Sequence, residues 1–167
     1  MEPLQHRFAY VGADLQDLYG VRPTSIVGAG RLQNGYFSGG TVRSLVDRLS
    51  ARPDGLLVSA ETAHDFVLQP GDKVRLRLTD VLTGQLRTVP FRFEGVVKEF
   101  PTAPKDRFLV ANASYIARTT GSDAPGTLLV DTGAPASARP PRRRSEFWAR
   151  APASQTCPRR RRWSAPA

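Results

Sequence analysis

The sequence predicts an α+β domain, built as a curved, mainly antiparallel sheet or partial barrel with short peripheral helices, followed by a disordered C-terminal tail. Three observations carry this expectation. Residues 73–78 alternate strictly, with Val74, Leu76 and Leu78 on one face and Lys73, Arg75 and Arg77 on the other, which is the period of a half-buried strand. Val89, Phe91 and Phe93 repeat the alternation after a loop containing Thr83-Gly84, and the apolar set then changes phase at Gly95, to Val96 and Phe100. A glycine at a phase change marks a bulge, which bends a hairpin into a curved sheet. At residue 134 the composition changes abruptly: the last 34 residues hold 9 Arg, 8 Ala and 6 Pro with no apolar period. Such a segment buries too little to offset its chain entropy.

The remaining elements follow in chain order. Residues 6–11 alternate loosely and predict a strand, after which Gly12 and Asp14 introduce Leu15 and Leu18 at helical spacing before Gly20. That spacing predicts a short helix stopped by the glycine. Residues 21–40 hold five glycines and no sustained period, so they read as loop, anchored by Tyr36-Phe37. Within it, Gly28-Ala29-Gly30 invites a phosphate-loop reading, but position 33 is Gln and no Gly-Lys-Ser/Thr follows, which leaves a plain connecting loop. Residues 41–50 place Val42, Leu45, Val46 and Leu49 on one helical face, and Pro53 ends that helix.

A turn at Pro53-Asp54-Gly55 leads into a strand at 56–58, and Ser59 then caps a two-turn helix over 60–66 with Glu61 in its first turn. Pro70-Gly71 supplies the dihedrals of a type II turn before the 73–78 strand. Beyond the central hairpin, Pro101 and Pro104 stiffen the connection to a strand at 108–110. Asn112 caps a helix carrying Tyr115 and Ile116 that closes at Gly121, and Gly126 opens a last strand at 127–130. The domain is thus expected over 1–133 and the tail over 134–167.

The formal charge of +9 is unevenly placed, because residues 1–133 carry 15 Lys and Arg against 14 Asp and Glu, whereas 134–167 carry 9 against 1. The single cysteine, Cys157, permits no intrachain disulfide. No apolar run approaches the roughly 20 residues that span a bilayer, and the N-terminus lacks the basic start and apolar middle of a signal peptide.

Catalytic chemistry needs convergent groups. His6 and His64 stand in different elements without metal-ligand spacing. Ser59, Ser114 and Ser122 lack a Gly-x-Ser-x-Gly elbow, and Asp72 and Asp80 bracket a strand as turn residues do. No catalytic, cofactor-binding or metal-binding residue is nominated, and no small-molecule cofactor is expected. Lys73, Arg75, Arg77, Arg87 and Arg92 suggest a basic sheet face, for which a solvated surface is the simpler meaning. The runs at 142–144 and 159–162, with Trp148 and Trp163 between and after them, are a stronger electrostatic candidate for nucleic acid or anionic membrane. The competing explanation is a GC-rich gene read out of frame, which also yields Arg, Pro and Ala with almost no Lys.

The order Val58-Ser59, a short helix, Leu68-Gln69-Pro70-Gly71-Asp72-Lys73-Val74 and a strand pair ending in Glu94-Gly95-Val96-Val97 resembles the extracytoplasmic domain of FtsX-like (MacB-like) ABC transporter permeases, over roughly 8–133. The resemblance implies a non-enzymatic module outside the cell membrane. Its partners would be an ABC-type ATP-binding subunit and a second permease copy, reached through membrane segments that this sequence does not contain. On this reading the chain is a fragment of a longer gene product, and the DNA near codon 133 encodes apolar runs of about 20 residues in a shifted frame. The alternative is a small, soluble, basic-tailed nucleic-acid-binding protein.

Overall fold

A computed structural model describes residues 1–104 and 106–130; the expected tail, 134–167, and the end of the expected domain, 131–133, lie outside the described residues. The elements run β1 (Glu2–Val11), β2 (Asp14–Val21), α1 (Ile26–Ala29), a 3-10 turn (Asn34–Tyr36), β3 (Phe37–Ser38), α2 (Val42–Ala51), β4 (Gly55–Ser59), α3 (Ala60–Asp65), β5 (Lys73–Thr79), β6 (Leu86–Val97), β7 (Phe108–Asn112), α4 (Ala113–Thr120) and β8 (Thr127–Leu129).

Six strands close on themselves in the order β1-β2-β7-β4-β6-β5 and back to β1. The β2–β7 and β4–β6 pairs are parallel and the other four antiparallel. The fold is therefore α+β around a mixed, mainly antiparallel barrel. The interior is filled by Val11, Leu18, Leu56, Leu76, Phe91, Phe93 and Leu109, each no more than 4% exposed. β4 and β7 are antiparallel neighbours and each runs straight into a helix, so α3 and α4 sit at opposite ends of the barrel. Ile116 of α4 packs into the interior from one end, and Phe66 and Leu68, just past α3, from the other.

A second core lies outside the wall. Val42, Leu45, Val46 and Leu49 of α2 are buried against Tyr19, Val21, Leu57, Val97, Phe108 and Val110, the outward residues of β2, β4, β6 and β7. The bulge expected near Gly95 is present: Leu56 pairs with Phe93 but Leu57 with Gly95, which leaves Glu94 as the extra residue. Phe93 and Val96 both join the interior cluster across this step, while Val97 turns to the α2 side. A Cβ at Gly95 would lie 2.6 Å from Leu45 Cδ2, so the glycine is what lets α2 approach the wall.

Local chemistry explains the other boundaries. Ser59 Oγ accepts from Thr62 N at 3.3 Å, Thr41 Oγ1 from Ser44 N at 3.2 Å and Asn112 Oδ1 from Ser114 N at 2.9 Å, so the three longer helices are side-chain capped. The β5–β6 pairing has the expected partners, with Val74 opposite Phe91 and Leu76 opposite Val89.

One expected element is of the wrong kind. Residues 14–21 form β2, not a helix. Gly12-Ala13 is a two-residue turn that returns the chain along β1, pairing Val11 with Asp14 and His6 with Tyr19, and β7 pairs along the other edge. Leu15 and Leu18 fit helical spacing in so short a segment, but β1 offers ladder partners to residues 14–20 and β7 to residues 17–21. Gly20 is then a strand residue, with a virtual Cβ 3.0 Å from Ile116 Cδ1, rather than a helix stop. β1 also begins earlier than expected, at Glu2, because β8 pairs with residues 2–4.

Candidate functional site

The half of the wall that α2 does not cover presents the outward residues of β2, β1, β5 and β6. Leu15, Tyr10, Arg77 and Thr88 form one cross-strand row; Arg75 faces Pro90, and Lys73 faces Arg92. Like charges directly opposite repel, so the Lys73–Arg92 pair carries a local cost. The Arg77 guanidinium lies 5.0 Å over the Tyr10 ring and donates to Gly12 O at 2.8 Å, and Arg92 donates to Gly71 O at 3.4 Å. The expected basic face thus holds four of its five members. Arg87 is not among them: it stands opposite Leu78, shares the inward parity of Val89, and pairs with Asp80 at 3.3 Å at the barrel's end.

The loop joining β5 to β6 is held firmly yet exposes apolar side chains. Asp80 Oδ1 accepts from Leu82 N at 2.9 Å and Thr83 N at 3.2 Å, Oδ2 accepts from Arg87, and Val81 N donates to Thr120 O at 2.8 Å. Burial alone would push the Asp80 carboxyl up, but the backbone N–H bonds and the guanidinium outweigh it and hold its pKa below the usual 3.8. Even so, Val81 is 54%, Leu82 82% and Leu86 50% exposed. Phe8, 58% exposed on β1, shares a 220 Å³ depression with Thr79 and Val81.

The polar residues singled out in the sequence are occupied separately. His6 Nε2 lies 2.6 Å from Asp17 Oδ1, and its ring stacks on Tyr19 and meets Phe8 edge-on, each at 5.1 Å. Burial, with the Asp17 charge beside it, pushes the Tyr19 phenol above 10.0, so it remains a neutral donor to Thr102 O at 3.0 Å. His64 is exposed on α3 beside Asp65. Ser59 Oγ donates to Thr62 Oγ1, which donates to Gln16 Oε1, a buried chain that ties α3 to β2. Ser114 Oγ donates to Asn112 Oδ1, Ser122 Oγ accepts from Arg7 at 3.4 Å, and Asp72 Oδ2 accepts from Gln69 N at 2.8 Å.

At the α3 end, Arg107 bridges Asp14 at 3.4 Å and Asp65 at 3.3 Å. The Glu61 carboxyl there lies above its usual 4.5, because a hydrogen bond with Asp106, then burial and the Asp106 and Asp65 charges, favour its protonated form over the opposing pull of Arg107. A cleft of about 660 Å³ between β1 and α4 is lined by Pro3, Leu4, Gln5, Arg22, Ser114 and Arg118.

No protein-family model matches this chain, and no curated protein matches it. The exposed apolar tip at 80–86 escaped the sequence reading, although a signal existed: Val81-Leu82 is an apolar pair inside a loop otherwise marked by Asp80, Thr83 and Gly84.

Proposed function

We infer that this chain is a non-enzymatic extracytoplasmic module of an FtsX-like ABC transporter permease, acting as a rigid body that couples a transport ATPase to substrate or partner handling outside the membrane. The observation that carries the reading is the pairing of the first and last described strands, with Glu2 opposite Leu129 and Leu4 opposite Thr127. The chain enters and leaves the unit side by side, the arrangement that suits a domain held between two flanking segments. Supporting it are the order of helix, Pro-Gly turn and hairpin that underlies the resemblance, and a barrel filled by its own side chains, which suits transmission of force better than enclosure of a ligand. By that resemblance, an ABC-type ATP-binding subunit and a second permease copy are the partners. Sequencing the DNA around the coding segment tests the proposal: apolar runs of about 20 residues in one frame support it, and their absence from every frame removes it.

A further inference from the structure

We propose that the uncovered wall and the β5–β6 tip dock together on an anionic lipid bilayer, with Val81, Leu82, Leu86 and Phe8 at the acyl boundary and Arg77 and Arg75 behind them among the headgroups. The inference goes beyond the permease reading and does not depend on it.

The chemistry along the hairpin is graded as a bilayer is. Its apolar side chains protrude at the tip, and the cations follow on one face of β5, at positions 77, 75 and 73. At about 3.4 Å per residue, Arg77 and Arg75 lie about 7 and 14 Å behind Thr79, against a typical burial of about 5–10 Å for interfacial segments. Stable attachment takes an apolar and a cationic signal together, and both are present here. Asp80 at the tip is already engaged by Arg87 and Asp17 on β2 by His6, while Lys73 and Arg75 have no bonded partner among the described residues. The tip is also fixed in advance by Asp80 and by the Val81–Thr120 hydrogen bond, so exposing three aliphatic side chains is a feature of the folded loop. A single-stranded nucleic acid fits less well. Stacking needs free rings, whereas the tip is aliphatic, the Tyr10 ring is already covered by Arg77, and Phe8, the exposed ring beside the tip, already meets His6 edge-on.

Vesicle flotation of the full 167-residue chain tests the proposal, using phosphatidylcholine alone or mixed with phosphatidylglycerol. Because the Arg-rich segment at 142–162 would attract anionic surfaces by charge alone, variants are compared within the full chain. The double variant Val81→Ser/Leu82→Ser should weaken binding to the anionic vesicles about tenfold or more, and Arg75→Gln about fivefold, with unfolding midpoints close to the parent's. Leu82→Cys in a Cys157→Ser background, labelled with an environment-sensitive dye, should shift its emission to the blue when anionic vesicles are added. An unshifted dye, or variants that float like the parent, assigns any binding to residues 134–167 and overturns the proposal. Equal, variant-sensitive binding to single-stranded DNA overturns it as well, because the surface would then recognise polyanions rather than a bilayer.

Discussion

The two halves of the barrel wall share one interior and differ in what lies outside it. Under α2, every residue of β4 and of β7 is buried, because Leu57, Phe108 and Val110 point outward into the second core while Leu56, Val58 and Leu109 point inward. On the uncovered half, β5 alternates buried and exposed along its whole length. A strand thus reads as a continuous apolar run or as an alternation according to whether an amphipathic helix is laid across it. The exposed Phe8, Val81, Leu82 and Leu86 interrupt this division, since they are apolar on the half that has no helix.

Substitutions on the two halves should differ most sharply. Leu45→Ala on α2, fully buried against Gly95, should cost about 2–5 kcal/mol through lost burial and the cavity left behind. Arg75→Gln on the open half should stay within about 0.5 kcal/mol. Chemical denaturation of both variants checks this; similar losses would break the contrast.

A smaller effect is expected where the covered half is tied to its helix. Asn112 caps α4 through Oδ1 and donates from Nδ2 to Leu49 O at 2.9 Å at the end of α2, so Asn112→Ala should cost about 1–2 kcal/mol in the same assay. A loss no greater than that of Arg75→Gln would show the α2–β7 seam to be less important than its burial suggests.

Smaller still, and of opposite sign, is the change at the α3 end. Val67 sits at φ 50°, donates to His64 O at 3.1 Å, and is 80% exposed, while Leu68 N donates to Ala63 O at 2.9 Å. That is the helix-ending motif that favours glycine, occupied by a β-branched residue. Val67→Gly should therefore stabilise the fold by about 1 kcal/mol, strain relief outweighing the added chain entropy. A lower thermal midpoint for this variant would count against it.

The mildest test is of pH at the tip. The Asp80 carboxyl is depressed in the folded state, so its contribution is complete above the unfolded value near 3.8 and is lost as pH falls through the lower folded value. Asp80→Asn keeps an oxygen for the Leu82 and Thr83 N–H groups but removes the charge facing Arg87. Its thermal midpoint should fall below the parent's at pH 7, and the gap should close as pH falls through the folded value of Asp80. A gap that does not depend on pH would remove the ionic part of this account.

Much of the fold was legible because the signals were local. Caps at Ser59 and Asn112, the Pro70-Gly71 turn, the α2 apolar face and the 73–78 and 89–93 alternations each lie within a few residues, and each stands where expected. The identity of β2 was not legible, because Leu15 and Leu18 satisfy a helix and a strand equally over so short a run. Arg87 was misplaced for a related reason: composition gives the charge of a strand, and only register gives its face.

The sequence by itself determined where α2, α3, α4 and the β5–β6 hairpin lie, which side of α2 and of β5 is apolar, and that a bulge falls near Gly95, since these rest on backbone propensity, capping and hydrophobic period. Tertiary structure alone decided that β1 meets both β2 and β5 and so closes the sheet, that α2 covers one half of the wall, and that Val81, Leu82 and Leu86 are left in the open beside a row of cations. Those outcomes depend on pairings between residues far apart in the chain, as between Gln5 and Gly20 or Tyr10 and Arg77, whose free energy is realised only when distant segments bury their surfaces against one another.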